Sequence, residues 1–225
     1  MVYLARGDLK GAQAVLRAVP KEVEATTLAA YMGYYWDLYW VLEEPQQSLL
    51  LRLGPNAFED NRASWALVLT QTYALRGDTI RGRAYADSAR LALEDQLLST
   101  PKDAQLRVLR GLALAYLGHS TEAVREGERG LALAPISQDW FVGSYVQHQL
   151  VRIYLLADLP EKALDHLEPL VRGPYYLSPG WLRIDPTFDP IRDNPRFQKL
   201  VSGSWHSRSH CRLSGVSQNL PLSYG

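Results

Sequence analysis

The residues in this chain with the clearest chemical potential are few and scattered. His206, His210 and Cys211 come closest to a metal-ligand cluster. They supply three donors where a closed structural zinc site takes four, so they read as part of an unstructured tail. His119, His148 and His166 are dispersed, and each reads as a surface or satisfied helix residue rather than a catalyst. The carboxylate pairs Glu43–Glu44 and Glu59–Asp60 have the composition of an acid–base couple, but they fall near helix ends or loops and read as solvated. No Ser–His–Asp, Cys–His or phosphate-loop arrangement can be assembled. Arg6-Gly7-Asp8 and Arg76-Gly77-Asp78 spell an adhesion-type tripeptide twice. Both read as helix–turn–helix corners in which Gly ends one helix and Asp caps the next. The most unusual feature is the aromatic run Tyr31, Tyr34, Tyr35, Trp36, Tyr39 and Trp40. A core of large rings is its plain structural reading. The functional alternative is a partner-facing surface, because on a helix such a run covers every side. No catalytic residue, cofactor or metal is expected.

The bulk composition narrows the partners. Lys+Arg and Asp+Glu each number 24 in 225 residues, so no net field favours nucleic acid or an anionic membrane. With 47% hydrophobic and 21% charged residues, the profile is that of a soluble globular chain. The single cysteine excludes an internal disulfide and fits the cytoplasm. The start, Met1 to Asp8, lacks the basic and apolar regions of a signal peptide. The apolar run from Leu28 to Leu42 is shorter than the ~20 residues a spanning helix needs, and Asp37 interrupts it. It reads as a buried or half-buried helix.

The elements that would position these residues recur. An aromatic or leucine precedes a turn residue by four places, and a small residue follows the turn by five. Tyr3, Gly7 and Ala12 form the first instance, and Tyr73, Gly77 and Gly82 the second. Leu114, Gly118 and Ala123 form the third, and Tyr154, Asp158 and Ala163 the fourth. Between Gly7 and Gly77 there is room for two units of about 34 residues. The poorly marked middle unit is expected to place one helix over Thr26–Leu42 and another over Pro45–Leu53. In the third copy, Leu106, Leu109, Ala113 and Tyr116 keep helical spacing before Gly118 ends the helix. Ser120 is expected to cap the next helix, Ala123 to allow close approach, and Pro135 to stop it. Thr100-Pro101 with Asp103 reads as an N-cap, a first-turn proline and an early acidic residue. Pro160-Glu161 opens a further helix. With no period-2 runs or hairpin turns, the fold class is all-α.

The residues Gly111 to Gly118, then Glu122-Ala123 and Pro135, resemble a tetratricopeptide (TPR) motif in its small eighth position, turn glycine, twentieth-position alanine and closing proline. Tyr154 and Ala163 repeat the match. The resemblance implies a right-handed α-solenoid of TPR-like helix pairs over residues 1–172, the first one truncated. A capping segment with a short helix would follow over 173–203, and a disordered tail over 204–225. The stretch from Tyr175-Tyr176-Leu177-Ser178-Pro179-Gly180-Trp181 through Asn194-Pro195-Arg196-Phe197 to Leu200 is similar to the C-terminal TPR segment of large bacterial signalling proteins, often serine/threonine kinases. No kinase catalytic element occurs here, so the resemblance implies a kinase-associated scaffold, a piece of a longer polypeptide, and no kinase activity. Trp181, Phe188, Phe197 and Leu200 are expected to cover the last exposed face of the array.

In TPR arrays the first helices line a concave groove. Carried over, this places Gln71, Gln105, Val108, Leu112, Tyr145, His148 and Arg152 on the groove, flanked by Gln147 and Gln149. The implied partner is a protein or peptide, or an upstream domain of the same polypeptide, with neither nucleic acid nor membrane involved. The function expected is a non-catalytic protein–protein interaction scaffold. The rival readings are a structural or oligomerising fragment and an enzyme with a site around His148 and Arg152.

Overall fold

The computed structural model describes residues 1–35 and 37–203. Among the described residues every regular element is a helix and no strand occurs. The chain runs α1 Val2–Ala5, α2 Leu9–Arg17, α3 Ala25–Tyr34, α4 Glu44–Leu50, α5 Arg62–Leu75 and α6 Thr79–Ser99. It continues through α7 Ala104–Leu117, α8 Ser120–Leu133, α9 Trp140–Leu156, α10 Pro160–Arg172, α11 Pro179–Ile184 and α12 Pro195–Val201. Short 3-10 turns lie at Tyr39–Val41, Pro55–Phe58 and Pro186–Ile191. None of these helices is long and apolar enough to cross a membrane. Trp36 and the tail with His206, His210 and Cys211 lie outside the described residues.

The recurring spacing has a backbone cause. Gly7, Gly77 and Gly118 adopt φ of +78°, +76° and +86°, and Asp158 adopts +56°. In each copy the residue after the turn donates its N–H back to the carbonyl of the aromatic or leucine that marks the pattern. The four bonds are Asp8 to Tyr3, Asp78 to Tyr73, His119 to Leu114 and Leu159 to Tyr154, at 2.9, 2.9, 3.0 and 2.9 Å. This is a Schellman end, which satisfies carbonyls the finished helix would leave orphaned. Asp8 and Asp78 then accept the N–H groups of Gly11 and Arg81 at 2.8 and 3.0 Å, as helix corners require. The two Arg-Gly-Asp triplets are therefore occupied by turn geometry.

Four sequence expectations need correction. The helix expected over Thr26–Leu42 ends at Tyr34. Asp37 turns to φ +53°, and Leu38 N–H bonds back to Met32 O at 2.8 Å, one residue further back than in the repeat corners, so a wider helix-ending turn is built without glycine. The segment from Leu38 to Leu42 then packs into the core, and the following helix runs Glu44–Leu50 rather than Pro45–Leu53. Ser120 sits inside α8, whose N-cap is His119 with no side-chain bond. Thr100 closes α6, and Asp103 is itself the N-cap of α7, accepting from Leu106 at 2.9 Å.

From α5 to α10, each helix packs on the next, and α7 also touches α9. Small residues permit the approach: a Cβ on Gly111 would meet Ala123 O of α8 at 2.9 Å. Glu94 of α6, Arg107 and Arg110 of α7, and Glu122 and Glu126 of α8 form one ion-pair network across three helices. The chain then folds back on its start. α12 packs on α10 and α11, and α11 packs on α1. Trp181, Phe188, Phe197 and Leu200 are all buried. Trp181 meets Trp40 edge-on at 5.8 Å, and Ser178 Oγ donates to Ala5 O at 2.9 Å. Leu4, on the single turn of α1, is buried, while Met1, Val2 and Tyr3 stay exposed.

Candidate functional site

Two features sit where α9 meets the segments on either side of it in space, one buried and one open. The buried feature is Arg152, only 4% exposed. A guanidinium taken out of water must have its charge paired and its N–H groups bonded. Here Nη1 donates to Gln149 Oε1 at 2.9 Å and lies 3.5 Å from Asp37 Oδ1. Nη2 donates to Tyr39 Oη at 3.2 Å and to Gln71 Oε1. Gln149 in turn donates to Asp37 Oδ2 at 2.8 Å. Three separate stretches of chain, Asp37–Tyr39, α5 and α9 itself, thus converge on one cation. The positive φ at Asp37 is what brings its carboxylate to α9.

His148 lies one helical step away. Its Nδ1 meets Tyr176 Oη at 3.0 Å and Tyr175 Oη at 3.3 Å, while Nε2 is buried with no partner among the described residues. Burial, and then the Arg152 charge, push the imidazole down to about 3, so it is neutral at ordinary pH. Asp185 accepts the Trp181 indole N–H at 2.9 Å and the Thr187 N–H at 2.8 Å. Burial raises its carboxyl pKa against those bonds. A cavity of about 10 Å³ lies between Asp37, His148, Arg152 and Asp185, the room of a single water. A recess of about 200 Å³ reaches Arg152 from the side of Leu155 and Pro186. The arginine donors nearest it are already committed to Tyr39, Gln71 and Gln149. The cluster is built to hold a charge and to tie three segments together.

The open feature is a cleft of about 570 Å³. Tyr31, Tyr34 and Tyr35 of α3 form one wall, and Tyr175 and Tyr176 another. Trp140, Phe141 and Tyr145 of α9 complete it, with Asp37, Gln105, Val142 and Pro174. Within the first wall, Tyr31 and Tyr34 lie 4.9 and 4.6 Å from Tyr35, and in the second, Tyr175 lies 4.2 Å from Tyr176. Such tilted ring pairs hold their shape at little further entropic cost. Tyr35 Oη donates to Glu59 Oε1 at 2.6 Å, and this bond raises the phenol's pKa. The rim is open: Phe141 is 83% exposed and Tyr35 51%.

The groove residues inferred from sequence divide between these two features. Gln105 and Tyr145 line the cleft. Gln71, His148 and Arg152 belong to the buried cluster, and Val108 and Leu112 are fully buried between helices. Gln147, which flanked the row, donates to His166 O at 2.7 Å. The aromatic run divides as well. Tyr39 and Trp40 enter the core, and Tyr31, Tyr34 and Tyr35 form the cleft wall. Sequence reading did not single out Trp140, Phe141, Tyr175 and Tyr176 as site residues. The available signal was two pairs of adjacent large rings, of which Trp140–Phe141 lies on a helix, where neighbours cannot both face inward. Glu43 is spent capping α4 with Gln46 and pairing with Arg17, and Glu59 on Tyr35. No group of three potential metal ligands occurs among the described residues.

No known protein family, curated protein or solved structure matches this chain. The functional reading therefore rests on the geometry of the cleft.

Proposed function

We propose that the chain is a non-catalytic protein–protein interaction scaffold built of TPR-like helix pairs, with the aromatic cleft as its partner-binding face. The observation that carries this is eight aromatic side chains from three separate segments enclosing one open cleft of about 570 Å³. Tyr and Trp are the side chains that most often dominate binding energy at protein interfaces. A contiguous exposed aromatic patch on a packed helical frame marks an interaction site more often than a defect. The frame beneath it is tied by the Arg152 cluster, so little reorganisation opposes binding. The TPR reading adds that successive helices pack neighbour on neighbour from α5 to α10, as stacked pairs do. The kinase-associated context is part of the same proposal, and an in-frame kinase domain upstream in the gene would support it.

The test is a random peptide display selection against the full chain, repeated on Phe141→Ala and Tyr31→Ala. Both residues are on the rim, so the variants should melt at the wild-type temperature. Enriched peptides should bind them at least about tenfold more weakly. Equal binding to wild type and variants, or no enrichment, would remove the cleft as the binding face.

A further inference from the structure

We infer that the cleft takes a cationic side chain, lysine or arginine, presented by an extended segment of a protein partner. This rests on the reading of the cleft as the binding face and names what the face recognises. The lining supplies ring faces from Tyr31, Tyr34, Tyr35, Trp140, Tyr175 and Tyr176, and its one charged group is the Asp37 carboxylate. The faces of aromatic rings carry negative quadrupole charge, and a cation within ~6 Å of a centroid is attracted to them.

Charge placement agrees with the rings. The Asp37 side chain is 18% exposed at the cleft, whereas Arg152, its counter-ion, is 4% exposed and stands behind it, outside the lining. Each Asp37 oxygen faces one protein donor, Oδ1 toward Arg152 and Oδ2 bonded to Gln149, which leaves lone pairs for a further donor. Glu59, bonded to Tyr35, lines the adjoining cleft together with Arg52, and neither belongs to this lining. A cation entering here meets the Asp37 carboxylate and aromatic rings and no like charge on the lining. An acidic segment would meet Asp37.

Choline, a minimal caged ammonium, and its uncharged carbon isostere 3,3-dimethylbutan-1-ol serve as matched probes of the full chain, read by NMR at the tryptophan indole and tyrosine ring signals. Choline should shift the Trp140 indole signal and saturate. The isostere should bind at least about fivefold more weakly, and Trp140→Leu should abolish the difference while the protein stays folded. The peptides from the display selection give the second arm. They should be enriched in Lys or Arg, and replacing that residue by norleucine should weaken binding about tenfold. Equal binding of the two probes, or enrichment of neutral proline-rich or acidic peptides, overturns the cation assignment and leaves the binding face standing. Binding of a second copy of the chain, seen as concentration-dependent broadening centred on Phe141, also overturns it. If neither probe binds and no peptide is enriched, both the assignment and the binding face fall.

Discussion

A single buried cation organises the interior at the residue scale, and a neutral imidazole lies beside it. Arg152 is affordable in the core because Asp37, Gln149, Tyr39 and Gln71 all turn toward it. His148 stands between that charge and the hydroxyls of Tyr175 and Tyr176, with Asp37 and Asp185 nearby. Its folded pKa, about 3, lies below the ordinary histidine value of 6.5. The unfolded chain therefore binds a proton in this window that the folded chain refuses. The contribution to stability is complete above pH 6.5 and is lost as pH falls toward 3, at about 1.4 kcal/mol per pH unit. Asp185, its pKa raised by burial, has the opposite sign and offsets part of this loss at the acid end. His166, half-buried and lowered mainly by burial, has the same sign but is present in wild type and variant alike. Urea unfolding of wild type and His148→Gln at pH 7 and pH 5 isolates the residue. The wild type should lose about 2 kcal/mol more than the variant over that range. Parallel losses would mean that His148 is protonated in the fold.

At the scale of the element, the repeat is a turn before it is a packing unit. Every marked copy ends its first helix in a left-handed residue, glycine three times and aspartate once. Glycine adopts that conformation freely, and any residue with a Cβ is strained by it. Nothing lies within 4 Å of a Cβ added at Gly77, so Gly77→Ala measures the backbone term alone. It should destabilise by about 1 kcal/mol, and Asp158→Gly should stabilise by about 0.5 kcal/mol. Thermal melts of the two variants check the opposite signs. No destabilisation in Gly77→Ala would show that the turn relaxes into another form. These turns were legible because glycine and the aromatic four residues before it are conspicuous. The wider turn at Asp37 was not. Aspartate there resembles any polar residue, and the apolar run around it imitates one long helix.

Across the whole molecule, α11 covers the α1–α2 corner. Gly180 lies so close to the α1–α2 corner that an added Cβ would stand 2.2 Å from Ala5 O and 2.7 Å from Gly7 N. Those are backbone atoms, so no side-chain rotation relieves the clash. Gly180→Val should lift α11 off α1 and expose Leu4 and Trp181, a loss on the order of 2–4 kcal/mol. Hydrogen exchange should then speed up over residues 2–17 while the helices from α5 to α10 keep their protection. Uniform acceleration everywhere would show that the closure is needed for the entire fold, and no change would show that it is not tight.

The amino-acid sequence by itself determined the all-helical class, the positions of the repeat corners and the aromatic character of the capping segment. Each of these follows from local chemistry: helical spacing of apolar residues, glycine or aspartate at positive φ, and capping by the residue that follows. Only the tertiary structure decided which rings remain outside. Tyr35 and Tyr39 are alike on paper, yet one walls a cleft and the other bonds to Arg152. The difference arises because Asp37 reverses the chain between them. Tyr175, Trp140 and Tyr31 are far apart in sequence, so their convergence on one opening depends on how the stacked helices bring distant segments together. No spacing rule reaches that far.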